Sequence, residues 1–304
     1  MEVTAALVKE LRERTGAGMM DCKKVLMEAE ADIEKAIELL REKGLAKAAK
    51  KAGRIASQGL VKLVFSEGGK EAAIIEVNSE TDFVAKNEEF IEFVDKLAAM
   101  ALNCQNPDMD AFLEMDYHGE GTVKEALNNK IAKIGENMNI RRFIRCAKPG
   151  VVHVGYVHGA GRIGVIIGLE TTATQEQVAT VGKDVAMQVA SMSPKFIDES
   201  AVDPDYIENE KKILIQQALN EGKPANIVEK MVMGRLKKEL KETCLMEQKF
   251  VKNMDVTVQE YVDGVAKELG CPIKVVEMIR FEVGEGLEKK EENFAEEVAK
   301  QMGQ

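Results

Sequence analysis

The stretch EAAIIEVN (71–78), followed by SETDFVAKNEEF (79–90), decides how the core of this chain is organised. The first segment is an apolar run rich in β-branched residues, which is typical of a buried strand. The second predicts a helix capped by Asn87, with two glutamates in the first turn, where the helix dipole favours acidic groups. Phe83 lies between strand and helix without an apolar face of its own. The pattern favours a core position for Phe83 and leaves open that it is exposed for a partner.

The order of a strand pair followed by a helix occurs twice along the chain. The hairpin VKLVFSEGGKEAAIIEVN (61–78) precedes one helix, and the strand pair VVHVGYVHGAGRIGVIIGLE (151–170) precedes a helical pattern at 175–192. The two copies of this unit are roughly 90 residues apart, which indicates two related subdomains of one core. We therefore expect an α+β fold whose α/β core, with antiparallel strands, has subdomains at 60–148 and 149–289.

The segments around this core have helical patterns. Residues 1–44 contain three short amphipathic patterns, which predict a small three-helix domain whose last helix ends at Gly44. The basic, alanine-rich stretch at 45–59 reads as a linker with solvated lysines. Two long patterns at about 203–246 predict an antiparallel helical hairpin inserted in the second subdomain, and 290–304 predicts a C-terminal helical module.

Composition excludes several classes of protein. The 304 residues have a net charge of −10, which argues against direct binding of nucleic acid, because such binding requires a positive field. No apolar run is long enough to span a bilayer, and the charged N-terminus lacks a signal-peptide core. The five cysteines are far apart and form no CxxC, which argues against disulfide and zinc frameworks. We expect a cytoplasmic protein without a membrane partner or a cofactor.

Motifs typical of enzymes are weak or missing. GAGRIG (159–164) matches GxGxxG, but VIIGLE follows it as a strand pattern, whereas the dinucleotide fingerprint requires a helix there. Its glycines therefore favour a tight connection between strands. No Walker-type phosphate loop or nucleophile elbow is present in the sequence. His153 and His158 are five residues apart on a strand and point to opposite faces, so they cannot share a metal without a bulge.

Two long motifs identify a family. LRERTGAGMMDCKKVLMEA (11–29) and ETDFVAKNEEF (80–90) resemble the two signature stretches of the elongation factor Ts family. Further matches occur in the same order, so the resemblance covers nearly the whole chain: KIGENMNIRR (133–142), HGAGRIGV (158–165), SPKFI (193–197), GKPANIVEKMVMGR (222–235) and RFEVGEGLEK (280–289). The resemblance implies an N-terminal domain of ubiquitin-associated type, a two-subdomain core, a helical-hairpin insertion and a C-terminal helical module.

The resemblance also implies a function. Members of this family are guanine-nucleotide exchange factors for elongation factor Tu, a GTPase that delivers aminoacyl-tRNA to the ribosome. In the family, the aspartate–phenylalanine pair of a TDFV motif enters the GTPase near its magnesium site. That pair matches Asp82 and Phe83, with Thr81 and Val84 beside it. Such a factor makes no covalent bond, since the phosphate loop and the magnesium belong to the partner.

Other partner contacts implied by the resemblance are distributed along the chain. Periodicity alone favours a core position for Met19 and Met20, and the resemblance reverses this interpretation for at least one of them. Two positions depart from the family pattern: Asp184, where some members carry histidine, and Lys252, where an apolar residue is usual. The implied contact residues are Arg12, Met19, Met20, Lys23, Lys51, His158, Lys183 and Val251.

Two alternatives from other classes stay open at this point. The first is an interaction scaffold that uses the ubiquitin-associated domain, and the second is a dinucleotide-binding enzyme that uses GAGRIG (159–164). The helical hairpin supports dimers in some members of the family, so a homodimer is a further possibility that the resemblance raises.

Overall fold

The computed structural model describes residues 3–15 and 17–288 of the chain. Helices and antiparallel strands both contribute, and the α+β class is confirmed. No described helix combines the length and apolar character needed to cross a membrane. The chain divides into two compact units: the described residues of Met1–Lys62, Ile75–Ile144 and Glu282–Gln304, and those of Leu63–Ile74 and Arg145–Phe281.

Three helices form the N-terminal part: α1 (Ala5–Thr15), α2 (Met19–Glu28) and α3 (Ile33–Lys51). Asp32 caps α3, since its side chain accepts a hydrogen bond from the backbone N–H of Lys35. Their shared core is small and apolar, and it consists of Val8, Leu11, Cys22, Val25, Leu26, Ala29 and Ala36.

The central elements follow in two groups. The first group is β1 (Gln58–Phe65), β2 (Ala72–Ser79), α4 (Asp82–Ala85), α5 (Glu88–Asn103), α6 (Met109–Leu113), α7 (Val123–Ile134) and β3 (Met138–Cys146). The second group is β4 (Val151–His158), β5 (Ile163–Thr171), α8 (Gln175–Met192), α9 (Pro204–Asn220), α10 (Ala225–Thr243), β6 (Lys249–Phe250), β7 (Asn253–Thr257), α11 (Val258–Leu269) and β8 (Ile273–Glu282).

The sheets repeat one arrangement. One sheet has the strand order β1-β2-β3 and another the order β4-β5-β8, while β6 and β7 form a two-stranded ribbon. In both three-stranded sheets, two strands adjacent in sequence are followed by a long helix, α5 or α8, and a later strand completes the sheet. The predicted C-terminal module at 290–304 lies outside the described residues. The predicted domain boundaries and the ubiquitin-associated class stay predictions.

Helix α3 corrects one expectation, because it does not end at Gly44. It continues to Lys51, so the segment predicted as a linker begins with about two helical turns. Gly44 is buried, and a Cβ added there would lie 3.7 Å from the Cβ of Ala132 in α7. Gly44 therefore lies inside the helix at its contact with α7, and the alanine-rich segment after it favours continued helix.

Helix α8 covers the sheet of the second unit. A Cβ added at Gly182 of α8 would lie 2.6 Å from the Cβ of Val154 in β4, so only glycine allows this approach. β5 supplies a nearly continuous buried run from Gly164 to Leu169, as expected for a strand covered on both faces. Helices α9 and α10 pack on one another through Ala218, Val228 and Val232.

Candidate functional site

The TDFV segment forms a one-turn helix, α4, which periodicity did not predict. Thr81 is its N-cap, and the threonine oxygen accepts a hydrogen bond from the N–H of Val84 at 3.4 Å. Thr81 also donates twice to Glu136, from its N–H at 3.0 Å and from its hydroxyl at 2.7 Å. Both oxygens of one carboxylate therefore fix the start of this turn.

The adjacent residues anchor the same segment. Glu80 accepts a hydrogen bond from the N–H of Asn137 at 2.5 Å and pairs with Arg54 at 3.4 Å. The Asn137 amide in turn donates to the carbonyl of Arg54 at 2.7 Å. Sequence reasoning matched KIGENMNIRR (133–142) to the family without assigning a role to Glu136 or Asn137. Both residues lie in a motif that matches the family, and this was the signal that could have singled them out. The structure shows that Glu136 binds Thr81 and that Asn137 binds Glu80.

The four residues of the motif differ in exposure. Phe83 is 81% exposed, as its match to a partner-contacting residue of the family implies, so the core interpretation from pattern alone is wrong. Asp82 is also exposed, whereas Thr81 is half-buried and Val84 is buried. Asp82 and Phe83 are thus presented to solvent, and Thr81 and Val84 hold the turn.

The charge next to Phe83 is well defined. Lys86 donates to the Asp82 carboxylate at 2.6 Å, one helical turn along the chain. This hydrogen bond lowers the pKa of Asp82 below its ordinary value, so the carboxylate is ionised at neutral pH. Helix α5 begins directly afterwards, capped by Asn87, whose Oδ1 accepts from the N–H of Glu89 at 2.9 Å. The turn is thereby fixed at both ends.

A second exposed surface lies on α1 and α2. Met19 and Met20 are 58% and 64% exposed, so their core assignment from periodicity is wrong. Arg12 and Lys23 are exposed as well. Met27, which sequence reasoning did not single out, is 63% exposed and lies on the same face as Met20 and Lys23, since the spacing is seven and four residues. We call Met19, Met20, Lys23 and Met27 the methionine surface.

Lys51 and His158 are placed at the ends of elements. Lys51 is half-buried and is the last residue of α3. His158 is exposed at the end of β4, and its Nδ1 lies 2.9 Å from the hydroxyl of Tyr156. The β4–β5 turn contains GAGRIG, with positive φ at Gly159 and Gly161. No helix opens from this turn, so the context that dinucleotide binding requires is missing.

The two departures from the family pattern pair with each other. Lys252 donates to Asp184 at 2.6 Å, and the Tyr261 hydroxyl donates to the same carboxylate at 2.8 Å. Burial, and next the Asp184 carboxylate, raise the pKa of Tyr261, so the phenol remains a donor. The neighbouring Lys183 and Val251 are exposed. Asp184 and Lys252 therefore form a matched ion pair.

Comparison with known proteins identifies the family. The family model described as Elongation factor TS matches residues 80–285. The Elongation factor Ts of Clostridioides difficile (strain 630) is 60% identical over 301 residues, which is 99% of each chain. The chain belongs to the elongation factor Ts family. The family's proteins of Clostridium novyi (strain NT) and Clostridium botulinum (strain Eklund 17B / Type B) are 55% and 54% identical, also over 99% of each chain.

Membership in the elongation factor Ts family gives the general function of the chain. The chain is a translation elongation factor and acts in protein biosynthesis. The family model begins at Glu80, next to the TDFV turn, and the N-terminal helices lie within the region shared with the elongation factor Ts relatives. The resemblance inferred from the two signature motifs is confirmed.

Proposed function

We propose that this chain binds elongation factor Tu in its GDP form and accelerates GDP release, so that GTP can replace it. The observation that carries the proposal is Phe83, which is 81% exposed on a turn held by Thr81 and Glu136. An exposed aromatic side chain on an anchored turn loses little conformational entropy when it enters a pocket. The chain makes no covalent bond in this process.

The energy for exchange comes from a pocket that exists in only one state of the partner. Full burial of a phenylalanine contributes about 1.5–3 kcal/mol. When its pocket opens only after the magnesium and phosphate groups have moved, this energy favours the nucleotide-free state. The same energy corresponds to about a 10- to 150-fold weaker nucleotide affinity. By linkage, incoming nucleotide expels the factor by an equal coupling free energy.

Asp82 adds an electrostatic contribution at the same place. Its carboxylate is ionised at neutral pH and lies beside the phenylalanine at the tip of the turn. A negative charge brought close to a magnesium–phosphate site competes with the phosphate oxygens for the cation. The exchange step should therefore draw on both apolar burial and charge.

The remaining proposed contacts supply affinity. The methionine surface offers polarisable, adaptable side chains, which suit a partner groove that changes shape between nucleotide states. Arg12 and Lys51 are proposed contacts of the first unit, and His158, Lys183 and Val251 are proposed contacts of the second. Lys252 pairs with the Asp184 carboxylate, and the neighbouring Lys183 is exposed to a partner.

The test measures release of a fluorescent GDP analogue from elongation factor Tu after addition of excess unlabelled GDP. With the full chain at a tenth of the GTPase concentration, we expect release to accelerate at least tenfold, since each molecule acts repeatedly. Binding without any change in release would favour the scaffold alternative and overturn the proposal.

Association of the chain with itself, through α9 and α10, is a separate prediction that sedimentation of the free protein tests.

Glu136 is proposed as a positioning residue, which leads to a separate prediction. In Glu136→Ala, Thr81 loses both hydrogen bonds to the carboxylate, so the turn must be ordered during binding. Ordering one residue costs about 1–2 kcal/mol, and we expect exchange to fall about tenfold with Phe83 still present. Glu136→Gln should recover part of the rate. Glu92→Ala, at an exposed position of α5, is the matched control. Equal rates for Glu136→Ala and Glu92→Ala would contradict this role.

A further inference from the structure

Three side chains that can bind a metal converge in the second unit, and none of them is among the proposed partner contacts. Cys146 ends β3, His153 lies in β4 and Glu277 lies in β8. Their sulfur, ring nitrogen and carboxylate oxygen all lie within 4.8 Å of one another. Among the described residues, this is the one group of three cysteine, histidine or acidic side chains arranged in this way.

The orientation of His153 is that of a metal ligand. The imidazole is fully buried, and its Nδ1 lies 2.9 Å from the carbonyl oxygen of Gly69. Since a carbonyl oxygen only accepts, Nδ1 carries the proton and donates it. A histidine that binds a metal through one nitrogen commonly donates the other N–H to a backbone carbonyl in this manner. Nε2 is thereby turned toward the other two groups.

The remaining contacts leave lone pairs facing one another. Nε2 of His153 lies 2.7 Å from Oε2 of Glu277, and both atoms are acceptors in their neutral imidazole and carboxylate forms. Cys146 is buried, and its sulfur lies within 4.8 Å of both atoms. A positive charge shared between Nε2 of His153 and Oε2 of Glu277 would satisfy this pair. Either a proton or a metal cation can supply it.

We propose that Cys146, His153 and Glu277 bind one zinc ion in the folded chain. A sulfur, nitrogen and oxygen donor set is typical of Zn²⁺, whereas Mg²⁺ and Ca²⁺ prefer oxygen ligands alone. On binding, the thiol releases its proton to solvent and coordinates as thiolate. One thiolate and one carboxylate neutralise the dication, which suits a buried site. Water completes the four ligands.

The distances require only a small adjustment. Zinc–ligand bonds of about 2.0–2.3 Å place tetrahedral donors about 3.2–3.8 Å apart. The 2.7 Å pair of His153 and Glu277 must widen by about half an ångström, and the two separations from Cys146, which are within 4.8 Å, must contract by at most about 1 Å. A bound ion would join β4 and β8 of one sheet to the end of β3, so it would stabilise the fold of this unit.

The experiment uses the full chain, stripped of metal by a chelator and titrated with Co²⁺ as a spectroscopic substitute for zinc. Thiolate coordination gives a charge-transfer band in the near ultraviolet, and tetrahedral geometry gives intense visible bands. We expect saturation at one equivalent, loss of the bands on addition of Zn²⁺, and a higher melting temperature with Zn²⁺. Cys244→Ser, which removes another buried cysteine of this unit, is the matched control and should bind normally.

The variants decide between the two sources of positive charge. Cys146→Ser should lose the charge-transfer band, and Glu277→Gln should weaken Co²⁺ affinity at least tenfold while keeping the band. An unsaturable titration, or a full band in Cys146→Ser, would overturn the proposal and leave a metal-free, protonated histidine–carboxylate pair. If Cys146→Ser does not fold, unchanged Co²⁺ affinity in Glu277→Gln overturns the proposal equally.

Discussion

Phe83→Ala is expected to remove most of the acceleration of GDP release, by about 10- to 150-fold, while the fold stays intact. The factor follows from the loss of about 1.5–3 kcal/mol of apolar burial that exists only in the nucleotide-free complex. In the free chain Phe83 is 81% exposed, so its removal creates no cavity. Substitutions at such positions usually change the free energy of unfolding by less than about 0.5 kcal/mol.

The measurement compares GDP release across three variants at equal concentration, with thermal unfolding recorded for each. Phe83→Leu keeps part of the apolar volume and should retain an intermediate rate. Met192→Ala, at another exposed apolar position, controls for general loss of surface hydrophobicity and should behave as the natural chain. Full exchange activity in Phe83→Ala, with an unchanged melting temperature, would show that the assigned role of Phe83 is wrong.

The second large effect is on stability, at Glu76 in β2. Glu76→Ala is expected to lower the free energy of unfolding by about 3–5 kcal/mol, because it removes the buried anion that Arg141 and Arg142 share and leaves Arg142 paired with the exposed Glu285. The Glu76 side chain has no exposure to solvent. Its oxygens accept from Asn78 at 3.0 Å, from Arg141 at 3.0 Å and from Arg142 at 2.6 Å. The N–H of Gly284 donates at 2.8 Å.

This network also predicts how stability depends on pH. Burial acts to raise the pKa of Glu76, but the hydrogen bonds from Gly284, Asn78, Arg142 and Arg141 together outweigh it, so the pKa is lowered. A lowered pKa in the folded state means that the unfolded chain binds the proton more tightly. The contribution of Glu76 is therefore complete above the pKa of an unfolded glutamate. It is lost as the pH falls through the lowered, folded value.

Chemical denaturation at neutral and acid pH checks both statements. Glu76→Gln keeps the size of the side chain and should lose less stability than Glu76→Ala, with a weaker dependence on acid pH. Glu71→Ala removes a carboxylate that is 41% exposed in its pair with Arg145, and it should cost at most about 1 kcal/mol. A loss below 1 kcal/mol in Glu76→Ala would contradict the network's importance.

Local chemistry explains which expectations from sequence were met. The strand at 71–78 and the Asn87 cap depend on neighbouring residues, and both are present as β2 and the start of α5. The strand after GAGRIG was likewise readable, since it continues as β5. The end predicted at Gly44 was wrong because a glycine can stop a helix or lie within one. Only the packing against Ala132 distinguishes these cases.

By itself, the sequence determined the α+β class, the repeated order of elements and the family, because these depend on local patterns and long motifs. The tertiary structure alone decided which faces are exposed, since the period of a helix or strand does not say which face meets the core. It thereby placed Met20 and Phe83 on exposed faces. It also joined groups far apart in sequence, such as Thr81 with Glu136 and Cys146 with Glu277, whose proximity only chain folding creates.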